Sequence, residues 1–427
     1  MLRVDSVGVR GDGIALHGGE RVYLPFTAPG DVVRARLGVK SGEGRPGEVL
    51  AIIEKGARAA PPCPHFGACG GCALQHLSPD AYAEAKIAWL AAALRQHGLD
   101  ERVVAPLRCL PAGTRRRARL SMRRPRDTGA AVEIGFQARR SHRVVDMRSC
   151  AVLHPALTAL LAPLRRLAPM LLAPGGEGAA TATLADAGVD LLLDLPAPPP
   201  LAGMEAMAAF ARAADLARLA WRGPGHAPAP VTQFRPARIA FGGVAVDLPY
   251  DAFLQASAEA DEALSGAVLA ACGGARRIAD LFAGIGTFAL PLAALAPVHA
   301  VDGDEDAMNA LRAAAARAGL GRLTCERRDL AQRPLAPDEL ARFDTVVFDP
   351  PRAGARAQSA ALAASKVERV VAVSCNQATF ARDARMLTDG GLRLIAVEPI
   401  DSFVWSPHLE LVARFERGPV VGRGGPW

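Results

Sequence analysis

The sequence predicts an α/β protein: a doubly wound, mostly parallel sheet at the C-terminus, a small β-barrel at the N-terminus and a central α+β domain between them. Three observations support this prediction. Strand-like and helix-like segments alternate from about residue 236, a glycine turn at residues 280–287 joins the first of these strands to a helix, and short β-runs punctuate the first 58 residues. We therefore expect domains at residues 1–58, 59–235 and 236–427.

The N-terminal domain is predicted from short apolar runs that glycine and proline separate. These runs cover residues 7–9, 13–16, 21–24 and 31–37. Small five-stranded barrels of this sort often bind oligonucleotides, so we expect this domain to bind RNA.

The central domain is less regular. A helix without an internal breaker is predicted at residues 80–97, and the strand-like alternation of residues 103–150 follows it. Residues 156–235 are rich in Ala, Leu and Pro, and their clearest features are turns at residues 196–200 and 223–230.

The C-terminal domain shows a repeated βαβ alternation. The predicted strands cover residues 278–282, 298–302, 323–327, 345–348, 370–373, 392–397 and 409–415, with helices at residues 287–295 and 306–318. In open sheets of this kind, ligands bind beyond the carboxyl ends of the strands.

A cofactor site is predicted at the first of these strand ends. Residues 280–287 have the form D-x-x-x-G-x-G, and Asp302 ends the next strand, where a ribose is usually held. Position 289 is Ala, so the G-x-G-x-x-G pattern of NAD sites is absent. The turn instead suits S-adenosylmethionine, which has no pyrophosphate to bind, and Asp329 after the third strand is a candidate for contact with the adenine.

A thiol lies at the end of another strand of the same sheet. Cys375 follows residues 370–373, and Asp349-Pro350-Pro351-Arg352 lies 26 residues upstream of it at a further strand end. Similar loops with an aromatic fourth residue hold amino groups for N-methylation. Here that residue is Arg352, and the next strand carries a cysteine.

A methyl transfer to nitrogen does not need a thiol, because exocyclic amines are nucleophiles already. Carbon 5 of a pyrimidine becomes nucleophilic only after a thiolate adds to carbon 6, which is the general gain of covalent catalysis. The reaction also requires a base that removes the proton from carbon 5. Glu410, on the last apolar strand, is the best candidate for this base.

A second group of cysteines predicts a metal or cluster site. Cys63, Cys69 and Cys72 follow a C-x5-C-G-G-C pattern, and Cys150 is a fourth candidate. The spacing alone permits either an iron–sulfur cluster or a zinc ion with His65 or His76 as a ligand.

The charge pattern predicts an RNA partner. The chain has a net charge of +7, and residues 115–148 contain eleven arginines and only three acids, a pattern that favours contact with phosphates. The target base must leave its stack to reach Cys375. The chain has no uninterrupted apolar run of 18 residues and no apolar signal core, so we expect a cytoplasmic protein without a membrane partner.

Four segments together resemble the RNA 5-methyluridine (uracil-C5) methyltransferases. They are residues 280–288, 349–354, 373–382 and 408–410. Residues 1–58 resemble the TRAM domain of the bacterial 23S ribosomal RNA branch, and Cys63, Cys69, Cys72 and Cys150 resemble its [4Fe–4S] site.

The resemblance implies that the C-terminal sheet has the class I methyltransferase fold. It also implies an enzyme that acts on RNA and is a monomer. It makes Cys375 the nucleophile and Glu410 the base. The residues that it places at the S-adenosylmethionine site are Gln255, Phe282, Thr287, Asp302, Asp329 and Asp349.

The sequence departs from the family pattern at three positions. Ser257 and Thr287 replace asparagines, and Gln377 replaces a proline. Three other functions are compatible with parts of the sequence: a transfer-RNA uracil-C5 methyltransferase, a non-catalytic RNA-binding or ribosome assembly factor, and an iron–sulfur redox protein. Intact Cys375 and Glu410 argue against the second, and the missing dinucleotide pattern argues against the third.

Overall fold

The computed structural model describes residues 1–127 and 131–418. Its first five strands form a closed barrel in the order β1-β2-β3-β5-β4. They are β1 (Leu2–Val7), β2 (Asp12–His17), β3 (Glu20–Pro25), β4 (Val32–Leu37) and β5 (Gly44–Glu54). Alternate side chains such as Leu2, Val4 and Val22 fill the interior. The predicted barrel is confirmed, although its long fifth strand lies outside the four runs that predicted it.

The next segment packs against the C-terminal sheet. Helix α1 (Pro79–Gln96) begins at Ser78, whose side chain accepts from the backbone N–H of Ala81. Leu90 and Leu94 of α1 are buried in the core of that sheet. A short 3-10 helix (Glu101–Val103) and strand β6 (Arg108–Cys109) follow.

The central domain is built on a six-stranded sheet in the order β12-β11-β10-β9-β7-β8. Its strands are β7 (Arg117–Arg123), β8 (Glu133–Gly135), β9 (Glu177–Ala185), β10 (Gly188–Asp194), β11 (Arg218–Arg222) and β12 (Ala229–Gln233). Its helices are α2 (Pro155–Thr158), α3 (Leu161–Leu167), a 3-10 turn (Ala168–Met170) and α4 (Leu201–Ala213). They pack on the apolar face of this sheet, which includes Leu120 and Leu191.

A two-stranded hairpin, β13 (Arg238–Phe241) and β14 (Val244–Asp247), leads into the C-terminal domain. The eight-stranded sheet there has the order β17-β16-β15-β18-β19-β21-β20-β6. Its strands are β15 (Ile278–Leu281), β16 (Val298–Asp302), β17 (Leu323–Arg327), β18 (Thr345–Phe348), β19 (Arg369–Ser374), β20 (Leu392–Asp401) and β21 (Glu410–Arg417).

The helices of this domain are α5 (Ala258–Ala271), α6 (Ala289–Leu292), α7 (Glu305–Arg317), α8 (Pro337–Leu340), α9 (Arg356–Ala364) and α10 (Gln377–Asp389). Strands β15 to β19 are parallel and β21 is antiparallel to its neighbours. The predicted doubly wound sheet is therefore confirmed. The helix predicted at residues 287–295 is only one turn long, because the glycine turn continues through Phe288.

Strand order reverses between β15 and β18, and this switch point opens the crevice where ligands bind in such sheets. The described part of the chain contains no helix that is both long enough and apolar enough to cross a bilayer.

Candidate active site

The glycine turn after β15 has a backbone conformation that favours glycine, and the sequence supplies two glycines there. Phe282, Gly284 and Gly286 all have positive φ angles. A Cβ on Gly286 would lie 2.4 Å from Leu311 Cδ1, so only glycine fits there. Asp302, at the end of β16, accepts the backbone N–H of Gly284 at 2.9 Å. This hydrogen bond joins the turn to the predicted ribose-binding acid.

A cavity of about 650 Å³ lies at this end of the sheet. Seven of the predicted site residues line it: Gln255, Phe282, Thr287, Asp302, Asp349, Cys375 and Glu410. Asp329 is not among its lining residues. It is exposed, and its carboxylate accepts the backbone N–H groups of Ala331 and Gln332. The structure therefore brings together all the predicted cofactor and reacting residues except Asp329.

Cys375 and Glu410 lie at adjacent ends of two antiparallel strands. Ser374, the residue before Cys375, pairs with Leu411, the residue after Glu410, and the charge of Glu410 acts on the Cys375 thiol by raising its pKa. Both side chains line the same cavity, and Glu410 is almost fully buried. A thiol and a carboxyl group are thus presented together to whatever occupies the cavity.

Burial raises the pKa of both carboxyl groups of the cavity. Burial, and then the charge of Asp349, raises the pKa of Glu410 to about 8, against the opposing charge of Arg352. Burial also raises the pKa of Asp349, although the side-chain amide of Gln255 donates to its carboxylate at 3.3 Å. A carboxyl group whose pKa lies near neutrality is suited to accept and release a proton.

Arg352 contacts the thiol. Burial and the charge of Glu410 raise the pKa of Cys375 to about 11, whereas the charge of Arg352 and a hydrogen bond from it lower that pKa. The sequence indicated Arg352 only as an unusual fourth residue of the Asp349 loop. The structure gives it the role of the nearest cation to the candidate nucleophile.

Ser257 and Gln377, two of the residues that differ from the family pattern, have local structural roles. Ser257 is the N-cap of α5, where its hydroxyl accepts the backbone N–H of Ala260 at 3.1 Å. Gln377 is the first residue of α10, a position where proline is favoured but not required. Thr287 lines the cavity, as predicted.

Several residues that line the cavity were not predicted as site residues. Arg115 and Arg117 were assigned only to the basic segment, and Phe403 gave no signal in the sequence at all. Phe403 belongs to the loop of residues 402–409, which connects β20 to β21 and so ends at Glu410. The loop is called the 402–409 loop below.

A buried charge cluster holds this loop at both ends. Lys86 of α1 is fully buried, pairs with Asp401 and donates to the backbone carbonyls of Phe403 and His408 at 3.4 and 2.8 Å. The hydroxyl of Tyr82 donates to the other carboxylate oxygen of Asp401. The predicted helix of the central segment therefore fixes the loop that precedes Glu410.

The four predicted cluster cysteines lie around one pocket. Cys63, Cys69, Cys72 and Cys150 line a cavity of about 440 Å³, called the cysteine pocket below. Burial raises the pKa of Cys72 to about 12, and the charges of the other three cysteines add to this effect. Across the described ranges, no three His, Cys, Asp or Glu side chains are grouped as ligands of a metal ion.

This finding gives no support to the predicted iron–sulfur cluster or to the zinc alternative. The two histidines proposed for it have other contacts: His76 Nε2 lies 3.0 Å from the carbonyl oxygen of Thr27, and His65 Nε2 accepts the backbone N–H of Arg148 at 3.2 Å.

The cysteine pocket shares a wall with the candidate active site. Arg115, Arg117, Arg352 and Phe403 line both cavities. The backbone carbonyl of Trp405 also accepts the N–H groups of Ala73 and Leu74, directly after Cys72. The 402–409 loop thus contacts the cysteine segment as well as the active site.

The basic segment is not one continuous solvated patch. Arg116 is buried against Asp261 of α5, and Arg139 and Arg140 both pair with Asp12 of the barrel. Arg124 donates to two backbone carbonyls at 2.7 Å each. Part of the predicted phosphate-binding charge therefore joins domains to each other, and Arg115, Arg117 and Arg119 remain at the cavities.

The fold and the site together define a class I methyltransferase, because the doubly wound sheet, the glycine turn and Asp302 meet at its switch point. No protein-family model matches the chain. A Brucella suis protein described as an uncharacterized RNA methyltransferase is 41% identical over 98% of both chains. A Caulobacter vibrioides protein of the same description is 40% identical over 97% of this chain and 99% of its own.

A further relative has a named reaction. The 23S rRNA (uracil(1939)-C(5))-methyltransferase RlmD of Alkalilimnicola ehrlichii is 34% identical over 97% of this chain and 96% of its own. The chain therefore belongs to the RNA methyltransferase family that includes the 23S rRNA uracil-C5 enzymes. The fold is also that of the Pyrococcus abyssi tRNA (uracil-54, C5)-methyltransferase, with a TM-score of 0.70, 22% identity and coverage of 97% of this chain and all of the other.

Proposed function

We propose that this protein transfers a methyl group from S-adenosylmethionine to carbon 5 of a uridine in 23S ribosomal RNA, in the cytoplasm. The observation that carries the proposal is that Cys375 and Glu410 line one cavity beside the glycine turn. Methylation of carbon 5 needs both an enzyme nucleophile and a base, whereas methylation of an exocyclic amine needs no enzyme nucleophile. The named reaction of the relative from Alkalilimnicola ehrlichii supports the choice of ribosomal RNA.

The cavity has the features that S-adenosylmethionine requires. The turn lets the backbone approach a ligand closely, Asp302 is available for a ribose, and Gln255, Phe282, Thr287 and Asp349 line the remaining walls. We propose that Asp329, whose backbone lies beside Gly303, contacts the adenine of S-adenosylmethionine only at the edge of this site. When bound there, S-adenosylmethionine would supply an electrophilic methyl group, and the bond from this methyl group to the sulfonium sulfur would break to leave S-adenosylhomocysteine.

The reaction that we propose uses two residues of the chain in sequence. The Cys375 thiolate adds to carbon 6 of the uracil, and the electron pair of the 5,6 double bond makes carbon 5 nucleophilic. After carbon 5 has gained the methyl group, Glu410 removes the proton from it. The electron pair of that C–H bond restores the double bond, and the bond between carbon 6 and sulfur breaks.

Arg352 and burial set the protonation states for this sequence. Arg352 lowers the pKa of the thiol that must ionise. The raised pKa of Glu410 makes it a stronger base than an exposed carboxylate. All of these residues come from one chain, so the proposed enzyme acts as a monomer.

We also propose that Cys63, Cys69, Cys72 and Cys150 hold a [4Fe–4S] cluster. Four thiols around one pocket support this proposal. A cubane binds each of four thiolates to a different iron, so four cysteines are the number that it requires. The cluster would have a structural or RNA-positioning role, and no step above requires it.

The three-domain division gives each part of the chain a share in the proposed function. Residues 1–58 and 59–235 would bind and position the RNA, and residues 236–427 would carry out the methyl transfer. Residues 419–427 of the last domain lie outside the described ranges.

The proposal is tested first at Cys375. Cys375→Ala should lower the rate of methyl transfer to a 23S ribosomal RNA transcript by at least about a thousandfold. Its affinity for RNA should stay within about twofold of wild type. Incorporation of the labelled methyl group and filter binding measure the two properties.

Cys325 provides a matched control, because it is another partly buried cysteine on a strand of the same sheet, outside the cavity. Cys325→Ala should keep full activity. Turnover by Cys375→Ala at the wild-type rate would contradict the covalent mechanism.

A further inference from the structure

A third cavity, of about 620 Å³, lies on the central sheet outside the proposed active site. Side chains from strands β7, β10 and β11 and from two loops line it, and they include Arg119, Ser121, Gln137, Asp194, Arg222 and His226. Its volume is in the range of small-molecule and nucleotide sites. The proposed methyl transfer does not use this cavity, called the sheet pocket below.

The sheet pocket is connected to the active site along one strand. Residues 117, 119 and 121 of β7 share one face, because side chains alternate along a strand. Arg117 lines the active site and the cysteine pocket, Arg119 lines the cysteine pocket and the sheet pocket, and Ser121 lines the sheet pocket. The three cavities therefore form a continuous series along the open face of β7.

The length of this path fits a short stretch of single-stranded RNA. Arg117 and Ser121 are four residues apart, which is about 13 Å along a strand. A nucleotide in the sheet pocket would thus belong to the same RNA strand as the target uridine without being stacked on it.

The chemistry of the sheet pocket suits a base better than a phosphate. Arg119 and Arg222 both pair with Asp194, and Arg222 also donates to Asp251 at 2.8 Å. Glu177 is a second acid in the lining, so two arginines are balanced by two carboxylates. A polyanion gains little from such a site. The edge of a base presents both donors and acceptors, and this pocket offers both in return.

A short glycine-containing loop forms one side of the sheet pocket. The loop of residues 223–226 has two glycines, and a Cβ on Gly223 would meet no atom closer than 3.6 Å. His226 is exposed, and its Nδ1 lies 2.9 Å from the carbonyl oxygen of Pro224, which orients the ring within the loop.

We infer that the sheet pocket binds a second, unstacked base of the substrate RNA, a few nucleotides from the target uridine. This inference rests on the proposed function, because it assumes that the target uridine enters the active site. Readout of an unstacked base by hydrogen bonds is a usual source of sequence specificity in RNA recognition. The sheet pocket would then help to select which uridine is methylated.

The test compares two transcripts of the 23S ribosomal RNA segment around the uridine that the Alkalilimnicola ehrlichii relative modifies. The short transcript contains only the target uridine and its immediate neighbours, and the long one extends by about ten nucleotides on each side. Ser121→Tyr, which fills the pocket, should weaken binding of the long transcript about tenfold and binding of the short one less than twofold. Arg119→Gln should have the same effect and serves as a second variant if Ser121→Tyr does not fold.

Arg95→Gln is the matched control. Arg95 is about as exposed as Arg119, 58% against 55% of the side chain, and is likewise paired with an acid, but it lies on α1. This control should bind both transcripts like wild type.

A scan with abasic nucleotides identifies the bound base. One abasic position in the long transcript should weaken binding to wild type about tenfold and have no effect on Ser121→Tyr. The salt dependence of binding should be unchanged in Ser121→Tyr, since a base contact releases no counterions.

Three results would overturn the inference: equal affinity of wild type and Ser121→Tyr for the long transcript, an equal loss for both transcripts, or a loss that is only a shallower salt dependence. Failure of the proposed function gives a different result, because wild-type protein would then methylate neither transcript, whatever the sheet pocket binds.

Discussion

At the scale of single residues, the candidate active site is distinguished by carboxyl groups and a thiol whose pKa values burial raises. Burial is the largest cause for Glu410, Asp349 and Cys375, and the charge of Asp349 adds to it for Glu410 and Cys375. Titratable groups with strongly shifted pKa values cluster at functional sites. Asp280 shares this environment: it is fully buried, and burial followed by the charges of Asp349 and Asp302 raises its pKa well above the ordinary value.

Replacing the base should trap the intermediate. In Glu410→Gln, Cys375 can still add to carbon 6, but no carboxylate removes the proton from carbon 5. We expect a protein–RNA adduct that survives a denaturing gel, with turnover reduced by at least a hundredfold. Glu416→Gln, on the same strand but outside the cavity, is the control and should form no adduct. Normal turnover by Glu410→Gln would assign the base to another residue.

The pH dependence should reveal the role of Arg352. Glu410 accepts a proton only in its ionised form, and the thiol attacks only as thiolate, so the single-turnover rate should rise with pH up to and beyond about 8. Arg352 lowers the pKa of both groups. Its removal in Arg352→Gln should therefore shift the rise to higher pH. Arg352→Lys keeps the positive charge and should shift it less, and an unchanged profile in Arg352→Gln would contradict this assignment.

At the scale of elements, helix α1 positions a loop that begins more than 300 residues later in the chain. Lys86 binds Asp401 at the end of β20 and two carbonyls of the 402–409 loop, so that the loop is held at both ends. Trp405, with a φ of 59°, gives the loop a left-handed turn that a free loop would rarely adopt. The loop then leads directly into Glu410.

Removing Lys86 should weaken both the fold and the reaction. Lys86→Met leaves Asp401 buried without its cation, which typically costs about 3–5 kcal/mol. We expect a lower melting temperature, and a lower kcat with little change in KM for S-adenosylmethionine, since the turn that binds it is elsewhere. The double variant Lys86→Met/Asp401→Asn should melt at a higher temperature than the single one, because it leaves no buried charge unpaired. Equal melting temperatures of the single and double variants would show that the unpaired charge of Asp401 does not cause the loss of stability.

At the scale of the whole molecule, three separately folded sheets meet at the cavities. Arg116, the residue before β7, pairs with Asp261 of α5, Arg139 joins the central domain to the barrel through Asp12, and Trp89 of α1 donates to the carbonyl of Val7 at 2.8 Å. These contacts set the cysteine pocket, the active site and the sheet pocket side by side along β7.

The cysteine pocket exists only because of this assembly, since Cys150 comes from a segment far from Cys63 in sequence. Protein purified without oxygen should contain about four irons per chain, as a cubane requires. Cys150→Ser should lose most of the iron, whereas Cys109→Ser, at an exposed cysteine outside the pocket, should keep it. Metal analysis measures both, and stoichiometric zinc without iron would refute the cluster.

Much of the C-terminal fold was predictable because its signals are local. Strands Val298–Asp302, Leu323–Arg327 and Thr345–Phe348 have the predicted bounds, since the alternation of strand-like and helix-like segments marks each of them. The residues around the cavities that come from distant segments were less predictable. Phe403 has no local signal, and the arginines of residues 115–148 look alike in sequence although Arg116 is buried and Arg119 is exposed.

The sequence by itself determined the doubly wound sheet, the glycine turn with Asp302 and the thiol at a strand end, because each of these depends on residues close together in the chain. Only the tertiary structure decided that Glu410 and Cys375 line the same cavity and that Asp329 lies away from it. It also decided that the cysteine pocket and the active site share a wall. The physical reason is that strand register and domain contacts are set by non-local packing, which brings together residues that no local pattern relates.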